Sequence, residues 1–223
     1  MLDIKIGSRT VSTQAAAAMG HEYLNGSGAW AYPAYDGYSA STATGPLSDS
    51  DLLAPVLLNV TQTSLRTYYD LQDQIGFLQE HLDVLPVDLN LLDAEDLHIA
   101  AIAKMYSVID KGLVAGTRGT RLSKILHRKR PQLIPLYDRQ VGSCYQQGVG
   151  APVPPVKGRG WEAFMKLYVE AVRVDLHAGW ETWTDIAAMV PKNRPAITPL
   201  RALDIVAWRV GGGRDDEGSA DDD

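Results

Sequence analysis

A single cysteine, Cys144, occurs in 223 residues, which excludes an internal disulfide and any cysteine-ligated cluster or finger. It follows Ser143 on a predicted helix with no base beside it in sequence, so a buried, inert thiol is expected. The five histidines, His21, His81, His98, His127 and His177, include no pair three or four apart, so no helix face presents a metal-ligating couple. No Gly-Lys-Ser/Thr phosphate loop is present. No apolar run approaches the ~18 residues of a membrane-spanning helix. Ala15 to Ala18 is too short and too polar in its flanks for a signal-peptide core. These absences leave a soluble, cytoplasmic protein with no metal or cofactor as the expectation.

The most informative absence is local. Between Asp110 and Asp138 there is no acid, while seven Lys or Arg residues occur. Residues 111–161 hold ten Lys/Arg against Asp138 alone, a net +9; the remainder holds eleven against twenty-six acids, a net −15, giving −6 overall. A basic strip on an acidic body points to an anionic partner held locally, DNA or another polyanion foremost. A solvated basic face with no partner is the plainer alternative.

Apolar spacing is mostly helical, and the fold class expected is all-α, with no convincing strand pair. Residues 1–210 read as one helical domain and 211–223, rich in Gly and acid, as a disordered tail. Helices are predicted over 11–24 and 64–81, the latter with Leu65, Tyr68, Leu71, Ile75, Leu78 and Leu82 on one stripe. Ser48 caps another, ahead of Asp49 and Asp51. The helix opened by Asp93 to Asp96 carries Leu97, Ala101, Met105, Val108 and Ile109 inward and ends at Gly112 and Gly116. Later helices are predicted over about 138–147, from Trp161 through Leu176, from Trp180 to Met189, and from Thr198-Pro199, where Thr caps and Pro takes the first helical position. Residues 148–160 form a Gly/Pro loop. The segment 25–47, with Trp30, Tyr32, Tyr35 and Tyr38, is an ordered loop packed on the body or, on a sharper reading, an aromatic lid over a ligand.

Three devices share the acid-free segment. Leu113 to Thr120 joins two helices through Gly116 and Gly119, which permit turns that aim backbone N–H groups at an anion; a plain helix-helix turn is the alternative. The helix from Thr120 to Lys129 divides cleanly, with Leu122, Ile125 and Leu126 on one face and Arg121, Lys124 and Arg128 on the other. Such stacked like charges cost a few tenths of a kcal/mol each, which a bound anion would offset. Pro131 then ends the helix, and Asp138 starts the next. Asp138 is a helix cap, or else a carboxylate beside an anion site that orients water or stabilises developing positive charge.

The order of these parts, over residues 112–141, resembles the helix-hairpin-helix DNA glycosylase superfamily. There a Leu-x-Gly-x-Gly hairpin leads into a helix, and a later Val-Asp-x-x-Val stretch carries the catalytic aspartate. Here Gly116-Thr117-Arg118-Gly119 precedes the helix, and Pro135-Leu136-Tyr137-Asp138-Arg139-Gln140-Val141 follows it. The resemblance implies that Asp138 is catalytic and that Gly119 is the second hairpin glycine. It implies phosphate binding by Gly116, Arg118, Gly119, Thr120, Arg121, Lys124 and Arg128. Tyr137, Trp30 and Tyr35 are candidates to stack on an extruded base. Arg121 holds the position of the lysine that bifunctional members use for a Schiff base; an arginine stays protonated and cannot form one. A monofunctional base-removing activity is therefore the most that is implied. The glycines here stand three apart where the family's stand two apart, and Tyr137 replaces the usual Val. The whole chain, with Leu203-Asp204-Ile205-Val206-Ala207-Trp208 near its end, also resembles an uncharacterised actinobacterial protein family. Three rivals remain open: a non-catalytic nucleic-acid-binding module, an enzyme or binder for a small anionic metabolite, and an interaction protein whose basic strip pairs with acid.

Overall fold

The computed structural model describes residues 2–26, 34–60 and 64–212, so Trp30, Tyr32 and the acidic tail lie outside the described residues. The chain opens with an antiparallel hairpin, β1 (Asp3–Ile6) and β2 (Arg9–Ser12), Asp3 opposite Ser12 and Ile6 opposite Arg9. This corrects the expectation of no strand pair. Ile4 and Ile6 are buried while Asp3 and Lys5 face out, the period-two pattern of a half-buried strand. Four residues per strand are too few for that alternation to stand out. Gly7 turns the chain at φ 60, and a Cβ there would lie 2.2 Å from the Cys144 carbonyl oxygen, so only glycine fits.

Helices make up most of the rest. Ser12 caps α1 (Thr13–Asn25) by accepting from the Ala15 N–H at 3.2 Å. Ser48 opens α2 (Asp49–Leu53) with the Asp51 carboxylate returning to the Ser48 N–H at 2.8 Å, a capping box, and a 3-10 turn (Ala54–Leu58) follows. The helix expected over 64–81 is two, α3 (Leu65–Asp73) and α4 (Ile75–Asp83). They divide where the Gln74 N–H donates back three residues to Leu71, tightening the turn. Likewise α5 (Asp96–Met105) and α6 (Ser107–Asp110) divide at Tyr106. Leu97, expected inside, is 57% exposed; the buried face of α5 is Ile99, Ile102, Ala103 and Met105.

Beyond come α7 (Gly119–Lys129), α8 (Arg139–Gln146), α9 (Trp161–Ala178), α10 (Trp180–Ala187) and α11 (Pro199–Val210). As the spacing predicted, Leu122, Ile125 and Leu126 of α7 are buried, as are Phe164, Tyr168, Val172 and Leu176 of α9. The α5 and β1 elements pack on α9, while α11 lies among α1, α8, α9 and α10. Every residue of α11 from Leu200 to Ala207 is buried, Arg201 and Asp204 included. A helix enclosed on all sides must find partners for its charges within the protein. No helix among the described residues is long and apolar enough to cross a membrane.

Candidate functional site

The charged face of α7 is not solvated. Arg121 is 5% and Lys124 4% exposed, and Arg128 is half-buried. The expectation of an open basic stripe is thereby corrected, and the reason lies in the acceptors. Arg128 donates to the carbonyls of Asp36 (3.1 Å), Tyr38 (2.7 Å) and Ser41 (2.6 Å). Lys129 donates to those of Thr42 (2.6 Å) and Pro46 (3.0 Å) and faces the Asp51 carboxylate at 3.5 Å. Arg130 reaches the carbonyls of Leu82 (2.7 Å) and Leu85 (2.5 Å), at the negative end of α4. An irregular segment leaves carbonyls without ladder partners, and buried cations need acceptors; each satisfies the other. Three successive basic residues thus clamp residues 36–46 and the end of α4 to α7.

Tyr35 lies inside that clamp and is buried. Its hydroxyl donates to the Lys124 carbonyl at 2.6 Å, and its ring stacks on His127 with centroids 6.2 Å apart. The guanidinium groups of Arg128 and Arg201 lie 5.5 and 5.7 Å from the same ring. His127 donates from Nδ1 to the Ile134 carbonyl at 2.7 Å, and burial pushes it down to about 4, so it is neutral at physiological pH. Tyr137 is likewise enclosed, edge-on to Trp161, Phe164 and Tyr168, its hydroxyl accepting from Gln146 at 2.9 Å. With both rings enclosed, base stacking by Tyr35 and Tyr137 is corrected; the aromatic segment, where described, packs on the body, as the plainer expectation had it.

Around Tyr35 stands a charged centre that the sequence reading missed. Arg201 of α11 grips Asp36 in a two-bond fork, Nε to Oδ1 at 3.0 Å and Nη2 to Oδ2 at 3.2 Å. Its Nη1 bonds one Asp204 oxygen, and Nη2 also reaches the Tyr23 hydroxyl at 2.9 Å. Burial works against the Arg201 charge, but Asp36, Tyr23 and Asp204 outweigh it and hold its pKa well above the ordinary value. Asp204 is pushed up to about 6, chiefly by burial and secondarily by Asp138, against the pull of Arg201 and Lys124. The signal in sequence was an Arg and an Asp three apart on the inner turns of a mostly apolar helix.

Asp138 is half-buried and caps α8, its Oδ1 accepting from the Val141 N–H at 2.8 Å. A latch fixes its place. The Ser123 hydroxyl, on the first turns of α7, accepts from the Tyr137 N–H at 3.0 Å and lies 3.1 Å from the Tyr137 and Thr120 carbonyls. The start of α8 therefore lies against the start of α7. Lys124, next to Ser123, reaches the Leu58 carbonyl at 3.3 Å and acts on Asp204 electrostatically.

The N-terminal end of α7 is built differently from its flank. Gly116 is exposed at φ 66, the left-handed region that favours glycine. The Ala115 N–H is taken by Asp70 at 2.9 Å, and the Thr117 N–H by the Val114 carbonyl at 3.2 Å. Arg118 stands at the cap position, exposed and extended, making no side-chain cap bond to the helix, and the first turn holds no acid. Gly119 serves close packing: a Cβ would fall 2.1 Å from the Trp161 ring. Arg121 folds back to the Gly116 carbonyl at 3.3 Å, bracing the turn. Of the residues singled out in sequence, the fold gathers Gly116, Arg118, Gly119 and Thr120 at one end of α7, with Asp138 beside them. Lys124 faces the inner centre, and Arg128 belongs to the clamp.

Cys144 is buried on α8 against the Ala207 carbonyl at 3.4 Å, and burial pushes its thiol up to about 11. No curated protein and no solved structure matches the chain. A family model described as a family of unknown function (DUF6308) matches residues 16–211, leaving the β-hairpin outside. The chain belongs to that family.

Proposed function

We propose that this protein binds nucleic acid at the N-terminal end of α7 and removes a base without forming a covalent intermediate. Phosphate oxygens meet the N–H groups of Gly119 and Thr120, where the helix dipole favours an anion, and the side chains of Arg118 and Arg139, both exposed. Gly116 shapes the turn that presents them. Arg121 braces that turn, while Lys124 and Arg128 are turned to acceptors elsewhere in the protein. The observation that carries this reading is the Ser123 latch, which ties the residue before the half-buried Asp138 to the first turns of α7, a helix whose N-cap residue makes no side-chain cap bond. A nucleotide held there by its phosphate brings its sugar toward Asp138, whose charge stabilises the cationic sugar as water attacks. With arginine at 121, no Schiff base forms.

The test is base release from a panel of damaged duplexes. Wild type should release a base, and Asp138→Asn should reduce release by orders of magnitude with stability retained, because Asn caps a helix about as well as Asp. Borohydride should trap no adduct. Release that survives the substitution, or none from any duplex, contradicts the reading.

One observation favours a second reading. Arg201 is buried with its guanidinium 5.7 Å from the Tyr35 ring, and Tyr35 clusters with Ala54 and Leu136; a buried cation beside apolar side chains suits a small anionic metabolite better than a duplex. Mononucleotides or sugar phosphates that bind tightly while duplex DNA does not would select it.

A further inference from the structure

Trp161, the first residue of α9, lies where the end of α6 and the start of α7 meet. Its six-membered ring is so close to Gly119 that a Cβ there would fall 2.1 Å from Cζ3, which sets the indole against the first residue of α7. Its backbone N–H donates to the Asp110 carboxylate at 2.6 Å, as does that of Glu162 at 2.9 Å, so the end of α6 caps α9. On its inner side the ring meets Tyr137 and Phe164 edge-on, with centroids 5.6 and 5.7 Å away. Tyr137 precedes Asp138, so the indole stands at the same end of α7 as that carboxylate. Unlike Tyr35 and Tyr137, Trp161 is only half-buried, and no described residue accepts from its Nε1–H. An aromatic ring left partly open, with its polar edge unbonded, suits a binding surface better than a core.

The exposed charge around it is of one sign. Lys111 follows Asp110, Arg118 precedes Gly119 and Lys157 lies in the loop ahead of Trp161, and all three are exposed. The neighbouring acids are engaged: Asp110 with the two N–H groups of α9, Glu162 with Lys104 at 3.3 Å, and Asp70 with the Ala115 N–H at 2.9 Å. Between Gly116 and Arg118, the Thr117 side chain is 3% exposed and its hydroxyl has no partner. A buried hydroxyl left unmet is costly, and a ligand acceptor at this turn would offset that cost.

We infer that Trp161 is a stacking platform for an unpaired nucleobase of the strand whose phosphate lies at the N-terminal end of α7. This rests on the nucleic-acid reading above and narrows its ligand to a single strand, or a duplex carrying an unpaired nucleotide. The open part of the indole offers a π-face that any base can use, and Nε1–H offers a donor. Lys111, Arg118 and Lys157 hold the polyanionic backbone on this face. Stacking of this kind reads the presence of a base and not its identity.

The experiment compares low-salt binding of an oligothymidylate of about ten nucleotides with that of an abasic strand of equal length, which keeps the phosphates and lacks the bases. Wild type should bind the oligothymidylate roughly 5- to 100-fold more tightly. Trp161→Leu should erase the preference by weakening the first strand and leaving the second, and Trp161→Phe, which keeps a π-face, should retain part of it. Oligothymidylate should quench tryptophan emission in wild type and much less in Trp161→Phe, a readout that does not depend on Trp161→Leu folding. A wild type without the preference, or a preference that survives in Trp161→Leu, overturns the stacking role and leaves the phosphate site standing. Equal weakening of both strands in Trp161→Leu also overturns it, and marks the ring as packing alone. No binding of either strand or of duplex overturns this inference and the nucleic-acid reading together.

Discussion

The two ends of α7 carry the same kind of residue to opposite purposes. At its C-terminal end Arg128, Lys129 and Arg130 are turned inward, their donors on carbonyls of residues 36–46, Leu82 and Leu85 and on Asp51. At its N-terminal end Arg118 is exposed over a turn whose helix has no side-chain cap. In sequence Arg118, Arg121, Lys124 and Arg128 read as one basic set. The fold divides them, because a cation's role is set by which acceptors reach it first. Where an irregular segment offers spare carbonyls, the cations bind their own chain.

The comparison is broken most forcefully at Lys129. Its side chain is 2% exposed against an Asp51 carboxylate 1% exposed, so Lys129→Ala leaves a buried charge with its closest cation removed. We expect a loss of about 3–5 kcal/mol in chemical denaturation. A change below about 1 kcal/mol would show that the clamp is not holding the segment.

His127 sharpens the comparison through pH. Its folded pKa lies at about 4, below the ordinary ~6.5 of an unfolded histidine. Below the higher value the unfolded chain binds the extra proton, so this share of stability is full above about 6.5 and is lost as pH falls toward 4, amounting to about 3 kcal/mol. Asp204 and Asp175, both pushed up to about 6, act in the reverse sense, contributing at low pH and losing that share as pH rises through 6. The difference between wild type and His127→Gln isolates the histidine. It should shrink as pH falls from 7 to 4; a constant difference would contradict the burial argument.

How much of this was legible in the sequence follows from the range of each interaction. Ser48 as a cap, Thr198-Pro199 as a helix start and the stripes of α7 and α9 are local patterns, and they appear where the spacing put them. The hairpin at Asp3–Ser12 was missed because its alternation spans only four residues a strand. The breaks at Gln74 and Tyr106 turn on single dihedral adjustments that apolar spacing does not record. Asp138 stands at the cap of α8, as an Asp ahead of a helix start signals locally. Arg201, Asp36 and Asp204 were missed because the Arg201–Asp36 fork joins residues 165 apart, and the Arg128 contacts that bury the basic face span 87 to 92.

Smaller effects mark the N-terminal end. Gly119→Ala drives a methyl group into the Trp161 ring and should cost about 1–3 kcal/mol, read by thermal melting. A neutral result would mean that Trp161 gives way easily. Arg118→Ala removes an exposed side chain and should change stability by no more than about 0.5 kcal/mol. A larger loss would place Arg118 with the clamp residues.

The most direct test of the division between the two ends is the salt dependence of duplex binding. With Arg118 and Arg139 as the phosphate-contacting side chains, log Kd against log salt should have a slope of magnitude about 1–2, since each contact contributes about 0.9. Arg118→Ala should lower it by about one contact. A slope of magnitude about 3–4 would mean that the clamp residues also reach the phosphates, and no binding at low salt would mean that the N-terminal end of α7 is not a nucleic-acid site; either result contradicts the account.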